Sequence, residues 1–454
     1  MMASFQGWHI YLFDGTGETE ITDHVLGFST KETANIGSPS TVDAFLTLNN
    51  NDGRFTPADG GGTGIFKNTD WLAKSLRISG EVDYTPPPIG NPRLVSLVIS
   101  DVQFRDDGQN SQMTIQAQDW LSLTSSAVID VSDNGSDTTL WTNINQVFRN
   151  PNFDVVFPQL DLPDYEARVF SFPGSIQTSS LRGVAANRVT ALDYINQAFL
   201  RAAPGIILPY GIAVSTFGND IFYDLWIIDR TLNNTSFSNL VPDLEFDDTG
   251  GDGVMAFSKV TPGFKFTDIT SRSTVTSAKS GVTSQTSTNV ETGTRYGTRT
   301  RTSTQTGNAT DADALTAAQF WTKRQGTSRY TPQKLETSIE TIFAKNSSDA
   351  TGEAVWFLLA FYTLWYPCKV TYTPTGGQRI SEACVISGRT IEAVPGRTTI
   401  KLDLLPANDY HSLQLDSNLL GVLGGTLDTY DKATYTYDED VLYNGVPVHG
   451  FRLG

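Results

Sequence analysis

Val42-Asp43-Ala44-Phe45-Leu46-Thr47-Leu48-Asn49-Asn50-Asn51-Asp52-Gly53-Arg54-Phe55-Thr56-Pro57 is the stretch on which the fold of this sequence turns. Ala44, Leu46 and Leu48 alternate with Asp43, Phe45 and Thr47, the period-two pattern of a strand with one buried face. Asn51-Asp52-Gly53 then supplies residue types that tolerate positive φ, so the strand runs into a tight turn. Arg54, Phe55 and Pro57 leave that turn with a cation, an aromatic anchor and a fixed φ, which holds the loop against the body. Taken alone, these residues describe a hairpin tip in a β-domain.

Outward from this hairpin the same texture continues. Trp8 to Phe13 forms a strand ended by Asp14-Gly15-Thr16-Gly17, and further strands are predicted at Val25 to Ser29, Ser75 to Ser79, Leu94 to Ile99, Val102 to Phe104 and Met113 to Gln118. Short strands between Gly, Pro and Asn turns suggest a closed or nearly closed barrel over residues 1–125, with Asp119-Trp120-Leu121 at its end. The chain has 454 residues, a length that suggests about three domains. Hydrophobic residues make up 39% and charged residues only 18%, enough apolar material for sizeable cores and too much for general disorder. The 39 Gly and 20 Pro fit a mainly β chain.

Residues 126–255 change character to mixed α/β. A helix is expected from Asp137, with Leu140, Trp141, Ile144, Val147 and Phe148 on one face and Pro151 as its stop. A second begins at the capping box Thr190-Ala191-Leu192-Asp193, with Leu192, Ile195, Phe199 and Ala202 at helical spacing. Strands follow at Ile206 to Leu208 and Ile221 to Ile228. A second β-barrel is predicted over residues 256–415, from Leu335 to Phe343, the apolar run from Ala354, Ala383 to Gly388 and Thr398 to Leu404. The fold class expected is therefore two β-barrel-like domains flanking an α+β domain, followed by an extended acidic, Tyr-rich C-terminal segment at 416–454.

Within the second barrel, residues 270–310 form a Ser/Thr-rich arm carrying Arg272, Lys279, Arg295, Arg299 and Arg301 against one acid, Glu291. It is the one basic island in a chain of formal net charge −17, and it is read either as a contact for an acidic partner or passing DNA or as a solvated sheet face or loop. The overall acidity disfavours a protein that grips nucleic acid through its phosphates. Cys368 and Cys384 lie symmetrically about Gly376, so a hairpin turning there opposes them, as reduced core thiols or as a cross-strand bridge. The most apolar run, Ala354 to Tyr366, is too short to span a bilayer, and the N-terminus has no secretory-signal pattern.

No catalytic constellation emerges. His9, His24, His411 and His449 sit in no metal-ligand pattern, and neither a phosphate loop nor a nucleophile elbow occurs. Asp247-Asp248-Thr249-Gly250-Gly251-Asp252-Gly253 offers hard oxygen ligands but lacks the ligand spacing of a hand-type calcium site, so a polar turn between domains competes with a calcium loop. A carboxylate pair for glycoside hydrolysis needs no local motif, and 49 acids leave that reading open. No cofactor is called for.

The run Asn49-Asn50-Asn51-Asp52-Gly53-Arg54-Phe55-Thr56-Pro57 after an alternating strand resembles a pattern of minor tail proteins of long-tailed bacteriophages, the tail-tip hub group. Asp119-Trp120-Leu121, Arg295-Tyr296-Gly297 before an Ala-rich helix, and Val385 to Gly388 with Leu404-Leu405-Pro406 are similar to later parts of that family. Leu415-Asp416-Ser417-Asn418-Leu419-Leu420-Gly421 resembles its C-terminal signature. Gly60-Gly61-Gly62-Thr63-Gly64-Ile65-Phe66 departs from it, because the family usually has Ser-Pro and aromatics there. The resemblance implies a structural, non-enzymatic virion protein, assembled in the host cytoplasm. It implies a homotrimeric hub whose two barrels per chain meet a sixfold tail tube or distal tail ring above and threefold tip or fibre proteins below. It also implies a tape-measure neighbour and passage of genomic DNA without specific binding. The alternative carried forward is a tail-associated carbohydrate-binding adhesin or cell-wall hydrolase.

Overall fold

The computed structural model describes residues 7–13, 18–34, 41–62, 64, 66, 68–69, 71–72, 74–81, 93–108, 110–131, 137–139, 147, 180–182, 186–202, 206–214, 221–228, 244–264, 269–277, 279–306, 308, 310–324, 330–359, 364, 367–406, 441–443 and 446–448. The chain is mainly β, as its composition predicts, and a 14-stranded sheet dominates it.

The first arc of this sheet comprises β1 (Gly7–Phe13), β2 (Glu18–Glu20), β3 (Val25–Thr33), β4 (Thr41–Asn49), β5 (Ser75–Glu81), β6 (Arg93–Asp106) and β7 (Ser111–Gln118). Its order is β3-β4-β7-β6-β5-β1-β2, every pairing antiparallel. On β4 the alternation does what the sequence requires: Val42, Ala44, Leu46 and Leu48 are buried while Thr41 and Phe45 are exposed. Leu94 to Ile99 and Val102 to Phe104, expected as two strands, form the single strand β6, because a bulge between Ile99 and Asp101 bends the ladder without ending it.

After β7, Asp119 caps the one-turn helix α1 (Trp120–Leu123) by accepting from Ser122 N at 2.7 Å. Its other oxygen accepts from Val42 N at 3.0 Å, which ties the helix to the start of β4. Two small pairings follow, β8 (Val128–Val131) with β11 (Ala186–Thr190) and β9 (Asp137–Thr139) with β10 (Ser180–Arg182). The helix expected from Asp137 is thus corrected at its start: Asp137 to Thr139 are extended because they find a cross-strand partner in Ser180–Arg182. Most of the remaining residues of that expected helix lie outside the described ones. Thr190 caps α2 (Ala191–Ala202) as its sequence predicts, its hydroxyl accepting from Asp193 N at 3.1 Å. The hairpin of β12 (Ile206–Val214) and β13 (Ile221–Ile228) completes this region.

The second arc contains β14 (Leu244–Asp247), β15 (Val254–Ala256), β16 (Lys259–Gly263), β20 (Thr331–Ser338), β21 (Pro367–Tyr372), β22 (Ile380–Val394) and β23 (Arg397–Pro406). Between β16 and β20 the chain makes a separate three-stranded sheet, with β17 (Arg272–Ser277) between β18 (Gln285–Thr288) and β19 (Thr300–Thr306). Helix α3 (Val290–Tyr296) connects β18 to β19, and α4 (Asp311–Arg324) packs on the sheet through Ala314 and Ala318 against Val275. Helices α5 (Ile339–Lys345) and α6 (Asp349–Leu359) cover the second arc, so the apolar run from Ala354 is in part a buried helix. A last hairpin pairs β24 (Val441–Tyr443) with β25 (Val446–Val448).

The two arcs are one sheet. One edge of β22 carries β21 along residues 380–385 and then β3 along residues 388–393, while its other edge carries β23 from Cys384 to Val394. Among the described residues no pairing closes either arc on itself. A single apolar cluster runs through both, from Ile10 and Leu46 to Phe246, Trp356 and Leu404.

Candidate functional site

The turn after β4 is built around Asn50, which is buried. Its side-chain oxygen accepts from Phe55 N at 2.9 Å, and its amide nitrogen donates to Thr56 Oγ1 at 3.0 Å and Ser111 Oγ at 3.2 Å. Its backbone N–H donates to Ser111 O at 2.8 Å and its carbonyl accepts from Gly53 N at 2.9 Å. Asn50 therefore closes the turn internally and fastens it to the neighbouring strand β7. The residues flanking it repeat the device: Asn49 Oδ1 accepts from Asn51 N at 3.0 Å, and Asn51 Oδ1 accepts from Ser111 N at 2.7 Å. Gly53 sits at φ +70°, the left-handed conformation its place in the motif requires.

Asp52 and Arg54 form an exposed ion pair with Nε to Oδ2 at 2.6 Å, and Arg54 also donates to His24 Nε2. The hydrogen bond from Arg54 holds the Asp52 carboxyl below its usual range. Phe55 is fully buried, stacked on Phe66 at 5.2 Å and edge-on to Trp71 at 5.9 Å and His24 at 5.6 Å.

The glycine run behind Pro57 makes this cluster possible. A Cβ on Gly62 would lie 1.8 Å from the carbonyl oxygen of Thr56, and one on Gly64 would lie 2.2 Å from the Cα of Arg54. Gly62 N donates to Pro57 O at 2.9 Å and Phe66 N to Arg54 O at 3.3 Å, so the chain doubles back over the motif and delivers Phe66 onto Phe55. Asn51, Asp52 and Ala58 to Gly60 are left facing solvent on a braced platform.

Of the other residues singled out from sequence, Gly297 ends α3 at φ +80° and donates its N–H to Gly293 O, and Tyr296 lies under Arg295 at 5.3 Å. They belong to the three-stranded unit, apart from the Asn49–Pro57 turn. Leu415, Asp416, Ser417, Leu420 and Gly421 lie outside the described residues. Asn50 stands inside the run that carries the resemblance with no role of its own assigned there, although the even-numbered parity of Val42, Ala44, Leu46 and Leu48 continues to it and marks it as inward.

A second polar arrangement lies where the arcs join. Glu32 on β3 and Arg389 on β22 are directly opposed in register, and both are buried. Arg389 donates to both Glu32 oxygens at 2.6 and 2.8 Å and to Leu358 O at 2.7 Å, which adds the end of α6 to the junction. Burial pushes the Glu32 carboxyl up, against the pull of the guanidinium.

At the Asp247 loop the carboxylates are occupied by a guanidinium. Arg379 bridges Asp247 and Asp248, and Asp247 Oδ1 also accepts from Thr249 N at 2.8 Å. Burial raises Asp247, but these hydrogen bonds outweigh it and bring its pKa to about 2. Cys368 and Cys384 face each other across β21 and β22, joined by a hairpin with Gly376 at φ +73°, and both are free and buried. Burial raises both thiols, so neither is poised as a nucleophile. Among the described residues no group of three or more His, Cys, Asp or Glu could hold a metal ion, and no helix is long and apolar enough to cross a membrane.

No protein-family model matches the chain, and no curated protein does. Solved structures do. A tail protein from Neisseria meningitidis MC58 superposes with a TM-score of 0.50 at 10% identity, over 89% of this chain and 100% of its own. The 43 kDa tail protein of prophage MuSo2 from Shewanella oneidensis gives 0.50 at 11% identity, again over 89% of this chain and 100% of its own. From the first arc to the second, this chain has the fold of phage tail proteins.

Proposed function

We propose that the chain is a structural protein of a phage tail tip: a trimeric hub that joins the sixfold tail tube or distal tail ring to threefold tip proteins and lines the DNA exit channel. The observation that carries this reading is the end-to-end likeness of fold to two tail proteins, each covered over its whole length. The fused arcs support it. Two β units per chain, rigidly joined through β22, give three chains six comparable units, the number needed to meet a sixfold ring. The braced Asn49–Pro57 turn supports it as well, since it offers a rigid polar platform with its aromatic anchor turned inward. In this reading the partners are two further copies, distal-tail or tube proteins, tip or fibre proteins and the tape-measure protein, and DNA passes an acidic wall without specific contacts.

Imaging of intact virions labelled with antibody against this chain tests the proposal. Threefold density at the distal end of the tail is expected. Label on the head or along the shaft, or no chain in the particle, overturns it. Release of fragments from host peptidoglycan by the purified chain would instead favour the cell-wall hydrolase.

A further inference from the structure

We infer that the outer face of the three-stranded sheet docks on an acidic flank of a second copy of this chain, in a head-to-tail contact. The inference rests on the trimer proposed above and names the surface that would build it. The register of β17, β18 and β19 places Thr288, Arg272 and Thr300 in one cross-strand row and Thr286, Thr274 and Thr302 in the next. Arg272 and four of these threonines are exposed, Thr274 is half-buried, and the intervening Ser273 and Val275 point inward toward α4. Thr274 and Thr286 share a hydroxyl contact at 3.0 Å, which links β17 to β18 across the second row.

The chemistry of this face selects its occupant. These two rows hold no carboxylate, no aromatic ring for a sugar to stack on and no apolar side chain larger than threonine. Arg272 is an exposed cation in line with the hydroxyls of Thr288 and Thr300, and Arg295 is a further exposed cation on α3, which joins β18 to β19; such a set suits carboxylates. Outside residues 270–310 the chain carries 48 acidic residues against 27 Lys and Arg, so another copy brings a net acidic surface to this face. Symmetry then fixes the mode. An isologous contact of this face would set one basic face on another, which like charge opposes. A basic face on an acidic flank is heterologous, and repeated head to tail it closes a ring.

The test uses the full chain and reads its mass against concentration at ~0.05 M and ~1 M salt, where the Debye length falls to about 3 Å. Three variants are compared, each first checked for an unchanged circular dichroism spectrum: Thr302→Glu at the centre of the face, Arg272→Glu with Arg295→Glu, and Lys259→Glu on β16 as a control of larger charge change than the first. The expected result is a trimer whose dissociation midpoint rises about tenfold or more in the first two variants and in high salt, and stays put in Lys259→Glu. A trimer indifferent to the face variants and to salt overturns this inference and leaves the hub standing. A wild-type chain that remains monomeric even with its tail partners overturns both. Retention on duplex DNA that Thr302→Glu abolishes, with the trimer intact, overturns the second-copy assignment in favour of a polyanion.

Discussion

The 14-stranded sheet and the three-stranded sheet inserted into it are held together in different ways. In the large sheet, alternating strands bury a continuous apolar cluster, and a buried ion pair, Glu32 with Arg389, lies within it. In the small one, the buried cluster among the described residues is Val275 with Ala314 and Ala318, and serine and threonine hydroxyls do much of the linking, as in Ser287 to Thr322 at 2.8 Å and Ser277 to the carbonyl of Asn308 at 2.7 Å. A core this small stabilises little by apolar burial, so the unit depends on its helix, its hydrogen bonds and its attachment between β16 and β20. The lesson is a division of labour: apolar surface turned inward fixes the architecture, and the hydroxyl-rich surface turned outward is left over for contact.

The contrast is most easily broken at the junction of the arcs. Arg389→Met leaves Glu32 buried and unpaired, and a loss of about 3–5 kcal/mol is expected in denaturant unfolding. The double variant with Glu32→Gln should recover part of it, and a single variant as stable as wild type would show that water reaches the pair. Phe55→Ala should cost a comparable ~3–5 kcal/mol, since the ring is fully enclosed by Phe66, Trp71 and His24.

Acid provides a subtler probe. Burial lifts Asp119 to about 6, above its unfolded value, so the folded chain binds the extra proton between about pH 4 and 6. The sign follows: from this group stability falls as pH rises through that window, by up to about 3 kcal/mol. Asp247, depressed to about 2, acts oppositely; its contribution is whole above about pH 4 and disappears as pH falls toward 2. Unfolding midpoints between pH 4 and 7 should therefore show a slope that Asp119→Asn reduces, the raised Glu32 carboxyl contributing in the same direction, and an unchanged slope in that variant would assign the dependence elsewhere. The smallest effect is expected in the inserted unit, where Val275→Ala should cost about 1.5 kcal/mol. That loss should appear as early local opening, with amides of β17 and β19 exchanging faster while those of β4 and β7 do not change.

Much of the large sheet is legible in the sequence because a half-buried strand writes its burial into every second residue. Ala44, Leu46 and Leu48 announce β4, and Thr190 with Asp193 announces α2. The junction of the arcs is not legible. Glu32 and Arg389 are remote in sequence, and nothing local shows that one edge of β22 will accept β21 and then β3. The glycine run after Pro57 misled for a related reason. Read along the chain it is a departure from the expected pattern, whereas its purpose is visible only across space, in a backbone that passes too close for any side chain. Asp137 to Thr139 fail similarly, since a helix-like stretch yields to a strand partner that the sequence places at Ser180.

The sharing of β22 has a mechanical consequence. A ladder that runs unbroken from one arc into the other transmits a pull along β3 as shear on a row of hydrogen bonds, which yield together and not one at a time. With side chains alternating between faces, any slip between the arcs that keeps Arg389 and Glu32 on the buried side must come in steps of two residues. The joint behaves as a ratchet tooth with no partial setting, stiff to small forces and abrupt when it finally gives.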